Sequence, residues 1–192
     1  LTDDRYPRDV RWPGALQTML GNEYEVISEG LVGRTLVAHD PEKPWRTGIT
    51  HIKALIKSTN PCHLVIVMLG TNDIKTTYSL QPEDISHHLK ETIQALRDEA
   101  LQLTIQPKIL IICPPKPVEP TKGKIDGRMI RWPEFLAVLP NLFKSVAEKC
   151  GCEYLNAADY ITSSPIDGYH LDPEAHIKLA GVIGKRVLDT FN

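Results

Sequence analysis

HLVIVMLGTND, residues 63–73, is the most hydrophobic stretch of this 192-residue chain and the one that decides its fold. Val, Ile and Leu follow one another in it without alternating with polar residues, which is typical of a strand covered on both faces. The run therefore predicts a buried strand over 63–70. Similar apolar runs predict further buried strands over 24–30, 108–115 and 152–157.

Apolar residues at helical spacing lie between these strands. The pattern predicts helices over 12–20, 47–58, 82–103, 134–149 and 173–188. Because helices and strands alternate, we expect an α/β fold of three layers, α/β/α, with a doubly wound parallel sheet. The chain opens with a helix where such a fold usually opens with a strand, so the first strand is expected to be missing from these residues. No linker or repeat interrupts the pattern, which predicts a single domain over 1–192.

Composition excludes several classes of function. The net charge of −2 comes without a clustered basic patch, so no nucleic-acid partner is expected. The longest apolar run is far shorter than the ~20 residues that cross a bilayer, so no membrane partner is expected. The four cysteines and seven histidines lack the spacing of a disulfide framework or a metal site. No metal and no cofactor are expected, and reduced cysteines favour a cytoplasmic location.

The segment DGYHLDPEAH, residues 167–176, contains a helix start and a possible catalytic pair. Asp172 followed by Pro173 is typical of an N-cap and the first residue of a helix. Asp167 and His170 are either residues of a simple turn or the acid and base of a catalytic relay. In a relay, the carboxylate fixes the imidazole tautomer, and the other ring nitrogen takes a proton from a nucleophile.

Two further segments follow predicted strands. In SEGLVGRT, residues 28–35, two glycines spaced by three, Gly30 and Gly33, let the backbone turn tightly and present an N–H without a side chain in the way. In LGTND, Asn72 offers a neutral amide donor suited to an oxyanion, while Asp73 could fix the loop. Taken alone, SEGLVGRT favours a plain glycine turn, and LGTND could equally be an ordinary turn.

GLVGRT, GTND and DGYH, in this order, resemble the conserved blocks of the SGNH-hydrolase (GDSL-type esterase) family, in its arylesterase and acyltransferase branch. The resemblance implies a flavodoxin-like α/β/α fold and the hydrolysis, or acyl transfer, of small carboxylic esters. It implies that Asp167 and His170 are the acid and base of a catalytic triad. It also implies that the Asn72 amide and the Gly33 N–H form an oxyanion hole.

The family's Gly-Asp-Ser block does not occur in the 192 residues. Leu1–Thr2 resembles the end of a GDSLT segment, which places the expected nucleophilic serine before Leu1. The alternative is a non-catalytic relative that lacks the nucleophile and only binds a ligand. A nucleotide- or flavin-binding protein of similar architecture is less favoured, because no GxGxxG or Walker loop occurs.

The remaining expectations concern the substrate and the assembly. A small acyl ester is the expected partner, and the resemblance implies a possible homo-oligomer. The segment 116–135 is rich in Pro and Gly and is expected to overhang the site and help select the substrate.

Overall fold

The computed structural model describes residues 5–116, 118–121, 127–129 and 132–191. The chain divides into two compact units. The first comprises three segments: Leu1–Gly30, Pro115–Ile125 and Ala157–Asn192. The second comprises two: Leu31–Pro114 and Asp126–Asn156.

The second unit contains a parallel sheet of three strands. They are β1 (Leu64–Val67), β2 (Lys108–Cys113) and β3 (Glu153–Asn156), with β2 in the centre. Leu64 lies opposite Lys108, and Leu110 lies opposite Glu153. The central strand is buried from its second residue to its last, as its continuous apolar sequence predicts.

Three helices belong to the same unit: α2 (Ile52–Ser58), α3 (Pro82–Ala100) and α4 (Trp132–Lys149). Helix α3 packs against α2 and α4, and α4 contacts β2 and β3. The apolar residues that recur at helical spacing in α3 are buried, with Leu89 and Ile93 fully inaccessible. Helix α3 begins at a capping box formed by Gln81 and Asp84, which satisfies N–H groups of its first turn.

The first unit contains two helices that pack against each other, α1 (Trp12–Leu20) and α5 (Pro173–Phe191). Asp172 Oδ1 accepts a hydrogen bond from the Ala175 N–H at 2.9 Å, as the predicted N-cap of α5 should. In the described part of the chain, no helix is both long and apolar enough to cross a membrane.

The predicted strand over 24–30 is not formed. Tyr24 and Val26 are half-buried, while their neighbours, including Ile27, are exposed, so the segment is not covered on both faces. The side chain of Gln17 satisfies its backbone instead, accepting from the Val26 N–H at 2.7 Å and donating to the Tyr24 carbonyl at 2.9 Å. The apolar residues of 24–30 therefore predicted a strand wrongly.

The other elements are present, and the differences lie at their ends. The predicted helix over 47–58 begins as a 3-10 turn, Gly48–His51, and becomes α-helical only at Ile52. The N–H groups of Gly48 and Ile49 donate to the carbonyls of Thr35 and Leu36, each at 3.0 Å. These long-range bonds set the geometry of the first turn, which apolar spacing cannot reveal.

Candidate active site

The first unit holds the predicted acid and base. His170 Nδ1 lies 2.6 Å from Asp167 Oδ2, within a hydrogen bond. Asp167 Oδ1 accepts from the backbone N–H groups of Tyr169 and His170 at 3.1 and 3.0 Å. One carboxylate therefore holds both the backbone and the ring of the histidine that follows it three residues later.

Burial tends to raise the pKa of Asp167, but hydrogen bonds from His170 and Tyr169 outweigh it and hold that pKa below its usual value. The carboxylate thus stays ionised and accepts a hydrogen bond from Nδ1–H. The His170 ring is 59 % exposed, and its Nε2 is left as a proton acceptor.

The backbone around the pair is fixed by close contacts. Gly168 has φ of +91°, and a Cβ there would lie 2.6 Å from the Val118 carbonyl oxygen. The Val118 N–H donates to the Gly168 carbonyl at 3.1 Å, and the Ser164 N–H donates to the His170 carbonyl at 2.6 Å. Glycine is required at 168 both for its conformation and for space.

Val118 belongs to the segment 116–135, which is expected to help select the substrate. Residues 117, 122–126 and 130–131 of that segment lie outside the described residues. So do Leu1 and Thr2, on which the comparison with a GDSLT segment rests.

The second unit holds the two predicted oxyanion donors and brings them together. Asn72 Nδ2 donates to the carbonyl of Arg34 at 3.0 Å, so the amide lies beside the residue that follows Gly33. An amide nitrogen carries two hydrogens, and this bond uses one of them. Gly33 has φ of +79°, and no described residue accepts a hydrogen bond from its N–H.

Asp73 links the loop that carries Asn72 to the segment that follows Gly33. Its side chain is fully buried, and its Oδ1 and Oδ2 accept from the Leu36 N–H at 3.0 and 3.1 Å. Burial raises the pKa of Asp73 to about 7, although the N–H groups of Leu36 and Ala38 act in the opposite direction. The sequence indicated a loop-fixing role for Asp73 but not its partner, because Leu36 is 37 residues away.

His176 lies on α5, outside the catalytic pair. Its Nδ1 accepts the N–H of Trp12 at 3.3 Å, at the first residue of α1, and the Tyr6 ring meets its ring edge-on at 6.0 Å. Its role is to accept a hydrogen bond from a backbone N–H at the start of α1, which has no partner within the helix. Within the described ranges, no group of three or more His, Cys, Asp or Glu side chains could hold a metal ion.

The chain matches the GDSL-like Lipase/Acylhydrolase family over residues 1–181. It belongs to that family. No curated protein sequence matches it significantly. Among solved structures, it is similar to Est24, a carbohydrate acetylesterase from Sinorhizobium meliloti, with 31 % identity and a TM-score of 0.92. That match covers 100 % of this chain and 90 % of Est24.

Two further structures are similar to this GDSL-like acylhydrolase. The inhibitor-bound aryl esterase of M. smegmatis is 26 % identical with a TM-score of 0.89, and the match covers 98 % of this chain and 89 % of that one. A carbohydrate acetylesterase family member from Sinorhizobium meliloti is 27 % identical with a TM-score of 0.84, over 96 % and 88 % of the two chains. The predicted α/β/α fold of the SGNH hydrolases is thereby confirmed, and the chain is an esterase by family.

Proposed function

We propose that this GDSL-like acylhydrolase cleaves small carboxylic esters through an acyl-enzyme, with a serine hydroxyl as the nucleophile. The observation that carries the proposal is the 2.6 Å hydrogen bond between His170 Nδ1 and Asp167 Oδ2. It leaves Nε2 as the base and keeps a negative charge beside the ring, where it stabilises the imidazolium formed in the reaction. The acetylesterases and aryl esterase above make acetyl and aryl esters the first substrates to test.

In the proposed reaction, His170 Nε2 removes the proton of the serine hydroxyl as its oxygen attacks the ester carbonyl. The carbonyl oxygen becomes an oxyanion, which the second hydrogen of the Asn72 amide and the Gly33 N–H stabilise. His170 then protonates the leaving alcohol. Water, or an acceptor alcohol, attacks the acyl-enzyme with His170 again as base. Both residue pairs are assigned to one reaction because the chain belongs to a family that performs it.

The first test is the turnover of p-nitrophenyl acetate by the full-length protein. Asn72→Ala is expected to lower kcat by on the order of 10²–10³, because it removes one oxyanion donor. Asn22→Ala, at an exposed asparagine, is the matched control and should leave kcat unchanged. Equal rates for the two variants would remove Asn72 from the mechanism.

A second test concerns the nucleophile, which is predicted to precede Leu1. A fluorophosphonate probe should label one serine of the full-length protein. Peptide mapping should place the labelled serine before Leu1. His170→Gln is expected to abolish labelling, since the serine would lose its base. Ester binding without any labelling would instead show a ligand-binding protein.

A further inference from the structure

Arg46 lies directly against Gly33, the proposed oxyanion donor. A Cβ at residue 33 would lie 2.7 Å from both Cζ and Nε of Arg46, closer than any real contact of a Cβ. The arginine side chain therefore occupies the space that any other residue at 33 would need. The φ of +79° favours glycine at residue 33, and the end of the arginine side chain would have to shift to admit a Cβ.

The loop that carries Arg46 is tied to the segment that follows Gly33. The Thr35 N–H donates to the Arg46 carbonyl at 3.0 Å, and the Arg46 N–H donates to the Lys43 carbonyl at 2.9 Å. Asp40 Oδ1 accepts from the N–H groups of Glu42 and Lys43 at 3.1 and 3.2 Å, which closes the loop. The backbone of Arg46 is thus fixed beside the segment that follows Gly33.

The Arg46 side chain is only 20 % exposed. Its Nε is buried and has no hydrogen-bond partner among the described residues. Its NH1 lies 3.7 Å from Asp40 Oδ2, which is an ion pair but is too long for a hydrogen bond. A buried donor without a partner calls for an explanation, and the contact of this cation with Gly33 suggests one.

From this contact we infer that Arg46 is a positioning residue of the oxyanion hole. Its side chain holds the Gly33 peptide in the left-handed conformation that presents the N–H. Its positive charge lies beside the place where negative charge develops in the transition state, and so favours that state over the bound substrate. This inference rests on the proposed function, since it assigns a role within the same site.

Arg46→Met and Arg46→Lys test the inference in the full-length protein with p-nitrophenyl acetate. Methionine removes the charge, so kcat should fall by about tenfold or more while KM changes by less than about twofold, because the effect arises in the transition state. Lysine restores the charge and should recover part of the loss. Arg8→Met, at an exposed arginine, is the matched control. A kcat for Arg46→Met equal to that of the control would overturn the inference.

A double-mutant cycle tests the contact itself. Gly33→Ala places a methyl group against the guanidinium and should lower kcat when Arg46 is present. In the Gly33→Ala, Arg46→Met double variant this clash is relieved, so the loss should be smaller than the product of the two single losses. Multiplicative losses would show that the two residues act independently, against the inference.

A third measurement requires no turnover. In ¹⁵N relaxation experiments, Gly33 should have the order parameter of rigid backbone, about 0.85, and Arg46→Met should lower it toward the flexible range below about 0.6. An unchanged order parameter would exclude a positioning role. If the wild-type protein does not hydrolyse esters, the proposed function is wrong, and this measurement still decides whether Arg46 positions Gly33.

Discussion

Asp73 is a carboxyl group with no exposed surface, and its titration has a consequence for stability. Burial raises its pKa from 3.8 to about 7. Between these two values the folded protein holds a proton that the unfolded chain has lost. The stability contributed by this group is therefore fully present below pH 3.8 and is lost as the pH rises through about 7.

Asp73→Asn tests that dependence, since asparagine stays neutral throughout. Between pH 4 and pH 7.5, the free energy of unfolding of the wild type should fall relative to the variant by on the order of 4 kcal/mol. Urea unfolding at a series of pH values measures the difference. Asp9→Asn, at an exposed aspartate, is the control for the loss of one carboxyl group. A constant difference for Asp73→Asn would mean that its carboxyl is ionised in the fold.

Gly168 separates the two members of the catalytic pair, and alanine there should be costly. The new Cβ would lie 2.6 Å from a backbone oxygen, that of Val118, at a φ of +91°. We expect Gly168→Ala to lower the free energy of unfolding by about 1–3 kcal/mol and to lower kcat, because the turn that sets Asp167 against His170 must shift.

Gly181 on α5 offers a matched comparison for Gly168. A Cβ at residue 181 would meet nothing within 4 Å, and the residue lies inside a helix. Gly181→Ala should therefore raise the free energy of unfolding by up to about 1 kcal/mol. Thermal or urea unfolding should give opposite signs for the two substitutions. A change of the same sign in the free energy of unfolding for both substitutions would contradict the steric clash inferred at Gly168.

Of the site residues, those within a local motif could be predicted to make contact, and those far apart in the chain could not. Asp167 and His170 are three residues apart, and their spacing indicates the hydrogen bond that the structure contains. Asp73 finds its partner 37 residues away, and no pattern links Arg46 to Gly33. Such contacts depend on how loops cross, which hydrophobic periodicity does not encode.

At the scale of the elements, the packing of α1 on α5 includes a polar contact. His176 of α5 accepts the N–H of Trp12, an otherwise unpaired donor at the start of α1. Burial lowers the pKa of His176. Because protonation of Nδ1 would remove the acceptor, the contribution of this group to stability is present above pH 6.5 and is lost as the pH falls below that value.

His176→Phe keeps an aromatic ring beside Tyr6 but removes the acceptor. At pH 8 the variant should lose about 1 kcal/mol of unfolding free energy, as for loss of a helix cap. The difference from wild type should shrink as the pH falls below 6.5, because the wild type then loses the same bond. His63→Phe, at an exposed histidine, serves as the control. A difference that stays constant down to pH 5 would argue against the bond.

The strands and helices also show what an apolar pattern can predict. The runs that form β1 and β2 are predictable because every residue of the two strands except Lys108 at the start of β2 is apolar, as a strand between two layers requires. The run over 24–30 is interrupted by Glu25, Ser28 and Glu29, and it forms no strand. A strand exists only where a neighbour pairs with it, and composition does not reveal the neighbour.

At the scale of the whole molecule, the prediction of a single domain over 1–192 can be tested through the same two titrating groups. Asp73 belongs to the unit Leu31–Pro114 and Asp126–Asn156, whereas His176 belongs to the unit that contains Ala157–Asn192. In a single cooperative domain, the full-length protein unfolds in one transition, whichever unit a substitution lies in.

Asp73→Asn and His176→Phe should therefore both move the midpoint of one urea transition. Their pH dependences should have opposite signs, since the stability linked to Asp73 falls with rising pH and that linked to His176 rises. Tryptophan fluorescence and circular dichroism, measured on the same samples, should give coincident curves for each variant. Two transitions, one sensitive only to Asp73→Asn and the other only to His176→Phe, would show that the units unfold separately and that the chain is two domains.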